Sequence, residues 1–226
     1  MFSNIKYLNH SIPRLNSFFY KIFACSLMLV DHIGSFLFPK LIFLRVLGRL
    51  SLPLFAYQFV VGFRNTSDPD RYFKRLTLFA LISQIPYQFL TGFDSFELNI
   101  LFTFLFSFVV LMILKKKGLQ KLWVLLILPI FLWCSYSYYG LALILLIYYV
   151  RKWNIGFVFL NLIYVISTGV WVQFVSVFSY PLIGCIDRFV AFYRFDNLEL
   201  KNFKYFFYLF YPAHLAVILM IRLLFF

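Results

Sequence analysis

Apolar runs close to the roughly 20 residues that a helix needs to span the hydrocarbon core of a bilayer recur along almost the whole chain, separated by short polar segments. The pattern predicts helical spans over 18–38, 41–62, 74–91, 98–115, 121–135, 138–150, 155–174, 176–193 and 205–225. The fifth and sixth runs are short, and Lys121 and Arg151 bracket the pair on one side. That pair therefore forms either two tilted crossings or one re-entrant hairpin, giving nine spans or seven plus a hairpin. The expected fold class is all-α: a polytopic transmembrane helix bundle forming a single integral membrane domain over 1–226.

Composition agrees with lipid as the main solvent. Hydrophobic residues make up 63% of the chain and charged residues 13%, about half of what a soluble domain carries. The first run is too long for the apolar region of a removable signal peptide and has no small-x-small cleavage site, so it is expected to stay as the first span. The formal charge of +13 is explained by orientation rather than by a nucleic-acid partner. Of the 21 basic residues, 16 fall in segments that the alternation assigns to the cytoplasm, whereas the opposite side holds Lys40 and Arg222 and an acidic 92–97 loop with Asp94 and Glu97. The N-terminus is expected in the cytoplasm and the C-terminus outside, in a bacterial inner or plasma membrane. Trp123, Trp133, Tyr136, Tyr138, Tyr139, Trp153 and Trp171 lie near span ends and read as interfacial belts. Cys25, Cys134 and Cys185 lie inside apolar runs without metal or disulfide spacing and read as buried thiols. No metal site is expected.

Ionisable groups within hydrocarbon cost about 2.5–3.5 kcal/mol each, so the few that occur there are candidates for function. They are Asp31, His32, Arg45, Arg49, Asp187, Arg188 and His214. The first two spans turn at Pro39 and Lys40, which sets Asp31 and His32 at the depth of Gly48 and Arg49. Arg45 and Arg49, four apart, share one helical face from which either can pair with Asp31, while Gly48 allows close approach. Neighbours on a helix diverge by about 100°, so Asp31 is expected to hold an arginine and His32 to face a cavity. The residues alone allow a structural ion pair with a core histidine as readily as a functional site. His214 follows Tyr211 and Pro212 in the last span, where proline permits a kink. Asp187 and Arg188 lie where snorkelling is easy and read as structural. Asn99 opens the fourth span and reads first as its cap.

The stretches LMLVDHIG (27–34), LRVLGRLSLPLFA (44–56), RLTLFALISQIP (75–86), LNILFT (98–103) and KYFFYLFYPAHL (204–215) together resemble the TraX family, over about residue 20 to the end. Family members often carry acidic residues near the positions of Val61, Gln84 and Gln88, and the stretch 194–199 is altered here from a Gly-rich basic turn. The family is named for the enzyme that acetylates the N-terminus of F-type pilin and looks related to integral-membrane acyltransferases of sugars and polymers. The resemblance implies an acetyl-CoA-dependent acetyltransferase in which His32 is catalytic, acting on an envelope acceptor such as a pilin-like peptide, a glycan or a small molecule.

On that reading His32 takes a proton from an amine or hydroxyl acceptor, or forms an acetyl-histidine. Arg49 or Arg45 meets the developing oxyanion, Asp31 fixes the arginine, and Asn99, Tyr211 and His214 contact the acceptor. The phosphates of acetyl-CoA would suit Arg64, Arg71, Lys74 and Arg75, although the positive-inside rule explains that loop without a ligand. The competing classes are a transporter or flippase, which the absence of an evident inverted repeat disfavours, and a structural partner of an envelope assembly.

Overall fold

The computed structural model describes residues 14–93, 96–193 and 204–225. The helices are α1 (Arg14–Phe36), α2 (Ile42–Gly48), α3 (Ser51–Asn65), α4 (Pro69–Thr91), α5 (Ile100–Leu114), α6 (Val124–Ile127), α7 (Ser137–Tyr149), α8 (Trp153–Thr168), α9 (Ser179–Tyr193) and α10 (Lys204–Phe225). Short 3₁₀ segments over Gly118–Trp123, Leu128–Trp133 and Trp171–Phe178 complete the set. Among the described residues the fold is all-α, with one isolated bridge, Leu98 to Cys134. The altered stretch 194–199, Asp94 and the N-terminal residues 1–13 lie outside the described residues.

Among the described residues, two helical stretches are both long and apolar enough to cross a membrane, Ile42–Asn65 and Phe206–Phe225. Nine full-length spans are not what the structure shows. The run over 121–135 breaks into 3₁₀ and a four-residue helix around Pro129, and the run over 155–174 ends at Gly169, whose positive φ of 72° closes α8. Helices α5, α7, α8 and α9 hold 15, 13, 16 and 15 residues, about 20–24 Å each and short of a ~30 Å core. The molecular surface is nonetheless apolar, with Leu126, Ile166 and Phe192 each at least 74% exposed. An apolar surface of that kind is what lipid, rather than water, accommodates.

The two largest of three apolar clusters among the described residues hold most of the helices together. The larger is centred on Leu54, Phe59, Leu111, Leu143, Ile144 and Phe157 from α3, α5, α7 and α8. The smaller joins α1, α4 and α10 through Met28, Leu37, Tyr87, Leu90, Tyr211, Leu215 and Ile218. The candidate site lies where the two meet. Gly48 is what lets α2 lie against α1, because a Cβ there would run into the Cα and Cβ of Asp31; at Gly34 it would come within 2.6 Å of the Leu44 Cβ. Just beyond Gly48 the helix tightens at Arg49 and Leu50, since Pro53 has no N–H for the Arg49 carbonyl and its ring crowds that turn. Trp153 is buried, whereas Trp123, Trp133 and Trp171 are exposed as an interfacial belt would be; Cys25 and Cys134 are buried and Cys185, contrary to expectation, is exposed.

Gly48→Ala is expected to destabilise the detergent-solubilised protein by about 1–3 kcal/mol through overpacking against α1. Gly184→Ala, where an added Cβ meets nothing within 4 Å, should be neutral or slightly stabilising. Thermal unfolding of the two variants side by side measures the difference.

Candidate active site

Asp31 points from α1 toward α2, where its Oδ2 pairs with the Arg45 Nη1 at 2.8 Å. The same Nη1 also donates to the Asp31 carbonyl at 3.1 Å. Arg49 approaches more loosely, its Nε 4.0 Å from the Asp31 Oδ1. Both of those atoms are buried without a hydrogen bond, so Arg49 is not held by the carboxylate. Its Nη1 instead donates to the Tyr136 hydroxyl at 2.8 Å and to the Gln173 Oε1 at 3.3 Å. The Arg49 Nη2 keeps accessible surface and has no partner. Tyr136 reaches this position from a backbone with φ of 61°, the left-handed region, followed by Ser137 at 42°. Non-glycine residues rarely adopt that geometry, and it turns the chain sharply from Cys134 into α7.

His32 faces His214 across the α1–α10 contact, with 2.7 Å between the His32 Nδ1 and the His214 Nε2 and the two rings within 5° of parallel. The other ring nitrogen of His214, Nδ1, lies 2.7 Å from the Phe210 carbonyl. A carbonyl only accepts, so that Nδ1 carries the proton. With both rings neutral, the His214 Nε2 is then a lone pair, and His32 must donate its Nδ1–H to it. The consequence is a defined tautomer: the His32 Nε2 holds a lone pair and has no hydrogen-bond partner. Pro212 lies within α10 two residues before His214, and the Phe210 ring stacks on the His214 imidazole at 4.9 Å.

A cavity of about 370 Å³ opens beside these groups, and Asp31, His32, Arg45, Arg49, Tyr136 and Tyr211 all line it. The two clusters described above supply its apolar wall through Met28, Leu52, Phe55 and Phe104. Glu97 also lines it. The volume is at the small end of the ligand-pocket range of about 300–1,000 Å³, adequate for a small group and a narrow chain rather than a nucleotide.

Other residues singled out from the sequence stand elsewhere. His214 is among the site groups, although it meets His32 rather than open space. Asn99 is fully buried and does not line the cavity. It caps α5 by accepting from the Leu101 N–H at 3.0 Å, and its amide donates to the Ala80 carbonyl and the Gln84 Oε1, each at 2.9 Å. Gln84 in turn donates to the Glu97 carbonyl at 2.8 Å, so these two amides pin the 97–99 segment to α4. Arg64, Arg71, Lys74 and Arg75 do not line the cavity. Arg64 donates to the Tyr148 carbonyl, Arg71 pairs with Asp68 at 3.3 Å, and Arg75 lies over the Tyr208 ring. Tyr136 and Tyr139, read as interfacial belt residues, are instead part of the site and its support. Gln173 passed unnoticed, yet a glutamine inside an apolar run is itself a signal.

The class of protein is therefore a helical membrane protein with a paired-histidine, paired-arginine cavity. The chain belongs to the TraX protein family, whose model matches residues 17–222. It is 26% identical over 232 residues to the probable fimbrial assembly protein FimC, serogroup H1, of Dichelobacter nodosus, covering 90% of this chain and 94% of that one. A shorter match of 34% identity over 65 residues links it to the uncharacterized protein RP591 of Rickettsia prowazekii (strain Madrid E), covering 29% of this chain and 24% of that one. No solved structure matches.

Asn99→Ala is expected to lower stability by about 1–2 kcal/mol, from the lost cap on the Leu101 N–H and the lost side-chain bonds to the Ala80 carbonyl and the Gln84 Oε1. Gln84→Ala should cost a similar amount, and the double variant less than the sum, because both remove one network. Chemical denaturation of the three proteins tests the structural assignment.

Proposed function

We propose that this protein is a multi-pass cell-membrane acetyltransferase, with a cytoplasmic N-terminus, that moves an acetyl group from acetyl-CoA to an amine or hydroxyl of an envelope acceptor. The observation that carries this reading is the direction of the histidine hydrogen bonds, which leaves an unprotonated His32 Nε2 beside a cavity also lined by Arg49. The similarity to a protein named for fimbrial assembly favours a pilin-like peptide among the acceptors, with a glycan or small molecule as the other classes.

In the proposed reaction the acceptor nitrogen or oxygen attacks the thioester carbonyl carbon while its proton passes to the His32 Nε2. Electrons of the carbonyl double bond move to oxygen, where the partner-free Arg49 Nη2 is suited to stabilise the charge. Collapse of the tetrahedral intermediate breaks the carbon–sulfur bond, and the leaving thiolate recovers the proton from His32. Asp31 and Arg45 supply the fixed ion pair against which Arg49 packs. The His32–His214 bond holds the imidazole in one orientation, as a base requires. The cavity volume admits the acetyl group and a narrow thioester arm, so the nucleotide end of the donor is assigned outside it, with the exposed Arg71 and Lys74 as candidates for its phosphates.

Acetyl transfer from isotope-labelled acetyl-CoA to a membrane extract of the host is the direct test. His32→Ala should lower labelled product by about 100-fold or more, the usual contribution of a positioned general base. Unlabelled product with the wild-type protein, or full activity in His32→Ala, would sink the proposal. His214→Phe, which keeps the ring but removes the acceptor for the His32 Nδ1–H, should lower kcat with little change in KM.

A further inference from the structure

The wall behind Arg49 is a chain of buried amides and hydroxyls whose protons can be assigned from end to end. The Asn161 Nδ2 donates to the Phe157 carbonyl at 2.9 Å, which fixes the Asn161 amide and leaves its Oδ1 to accept. That oxygen receives the Ser176 hydroxyl at 2.9 Å and faces the Tyr139 hydroxyl at 3.1 Å. Tyr139, with its proton directed to Asn161, accepts from the Gln173 Nε2 at 3.0 Å. The Gln173 amide is thereby fixed in turn, with its Oε1 presented to the Arg49 Nη1 at 3.3 Å. Asn161, Gln173 and Ser176 are completely buried and Tyr139 is 5% exposed, so no bulk water competes for these bonds. A chain of this polarity ends in an acceptor and calls for a donor at position 49.

We propose that Gln173 is the positioning residue of Arg49, and that the 3₁₀ segment 171–178 serves to aim the guanidinium so that its Nη2 points into the cavity. Gln173 and Tyr136 occupy the Nη1 from two sides, while Asp31 leaves the Nε unbonded. The aim of the guanidinium is therefore set by these neutral acceptors. The turn through Gly169 and Val170 and the 3₁₀ geometry that follows bring Gln173 and Ser176 to one face, three residues apart, toward α7 and α8. An α-helix continuing from α8 would lie elsewhere, which gives the break at Gly169 a functional reason. The inference rests on the acetyltransferase reading for what Arg49 does, though not for how it is held.

Two substitutions at position 173 separate aiming from packing. Leucine has similar volume and no acceptor; glutamate keeps an acceptor for Arg49, and Tyr139 can turn its hydroxyl to donate to it. If Gln173 only fills space, Gln173→Leu should be tolerated and Gln173→Glu damaging, because it buries a charge. The positioning role requires the reverse: Gln173→Leu lowers kcat at least tenfold with KM within twofold, and Gln173→Glu retains kcat within about threefold of wild type. The activity-independent readout is modification of Arg49 by a 1,2-dicarbonyl reagent, which must bridge both terminal guanidinium nitrogens, followed by mass spectrometry of the intact membrane protein. Gln173→Leu leaves the Nη1 with the Tyr136 hydroxyl alone and should raise the rate at least threefold, with Gln173→Glu close to wild type. Equal modification rates in all three proteins overturn the assignment. The expected modification pattern in a protein whose wild type transfers no acetyl supports Gln173 as the residue that holds Arg49 while removing the acetyltransferase reading.

Discussion

A carboxylate buried inside an apolar helix bundle calls for a matching positive charge, and Asp31 is matched by Arg45 at 2.8 Å. Much of the site's arrangement is a consequence of that requirement. For Arg45 to arrive, α2 must turn back directly from α1, and for Asp31 to reach it, the residue facing Asp31 must have no side chain. Gly48 meets that condition. Once the pair is made, Arg49, one turn later, is brought to the same carboxylate but 4.0 Å from it, too far for a good bond. It is therefore left to be captured by uncharged acceptors from two distant parts of the chain.

Those acceptors come from the irregular parts of the fold. Tyr136 is delivered by a left-handed backbone turn, and Gln173 by a 3₁₀ segment that replaces the end of one expected span and the start of the next. Regular helices supply the charged groups, and breaks in regularity supply the neutral groups that orient them. The same division appears at the histidines: α1 and α10 carry the two rings, and the backbone carbonyl of Phe210 decides which nitrogen holds the proton. Non-helical backbone of this kind is tolerated in a membrane protein where it is covered by protein or lines a polar cavity.

The cavity owes its position to the meeting of two apolar clusters, one built on α3, α5, α7 and α8 and the other on α1, α4 and α10. Large rings such as Phe55, Phe104, Tyr87 and Tyr211 stand at the junction and leave a gap lined by both sets. The loop before α5 closes another side, held by the Asn99 and Gln84 amides, which explains a polar pair in helices that otherwise face apolar neighbours. Glutamine at position 84 suits that role because one side chain both donates to the Glu97 carbonyl and accepts from Asn99.

Apolar run length determined the helical class and located most helices to within a few residues, because burial in lipid or protein demands continuous hydrophobicity whatever the partner. The spacing around the first turn likewise placed Asp31 and His32 at the depth of Gly48 and Arg49, with Arg45 on the same helical face as Arg49, since contacts between consecutive helices follow from counting residues away from the turn. Breaks at 121–135 and 169–178 were not legible, for an apolar composition serves α-helix, 3₁₀ and lipid-facing surface equally well. Nor were the partners of Arg49 and His32: Tyr136, Gln173 and His214 lie 87, 124 and 182 residues away along the chain. Contacts of that separation depend on how whole helices pack, so which tyrosine belonged to the site and which nitrogen of His32 was left bare were decided by the tertiary structure alone.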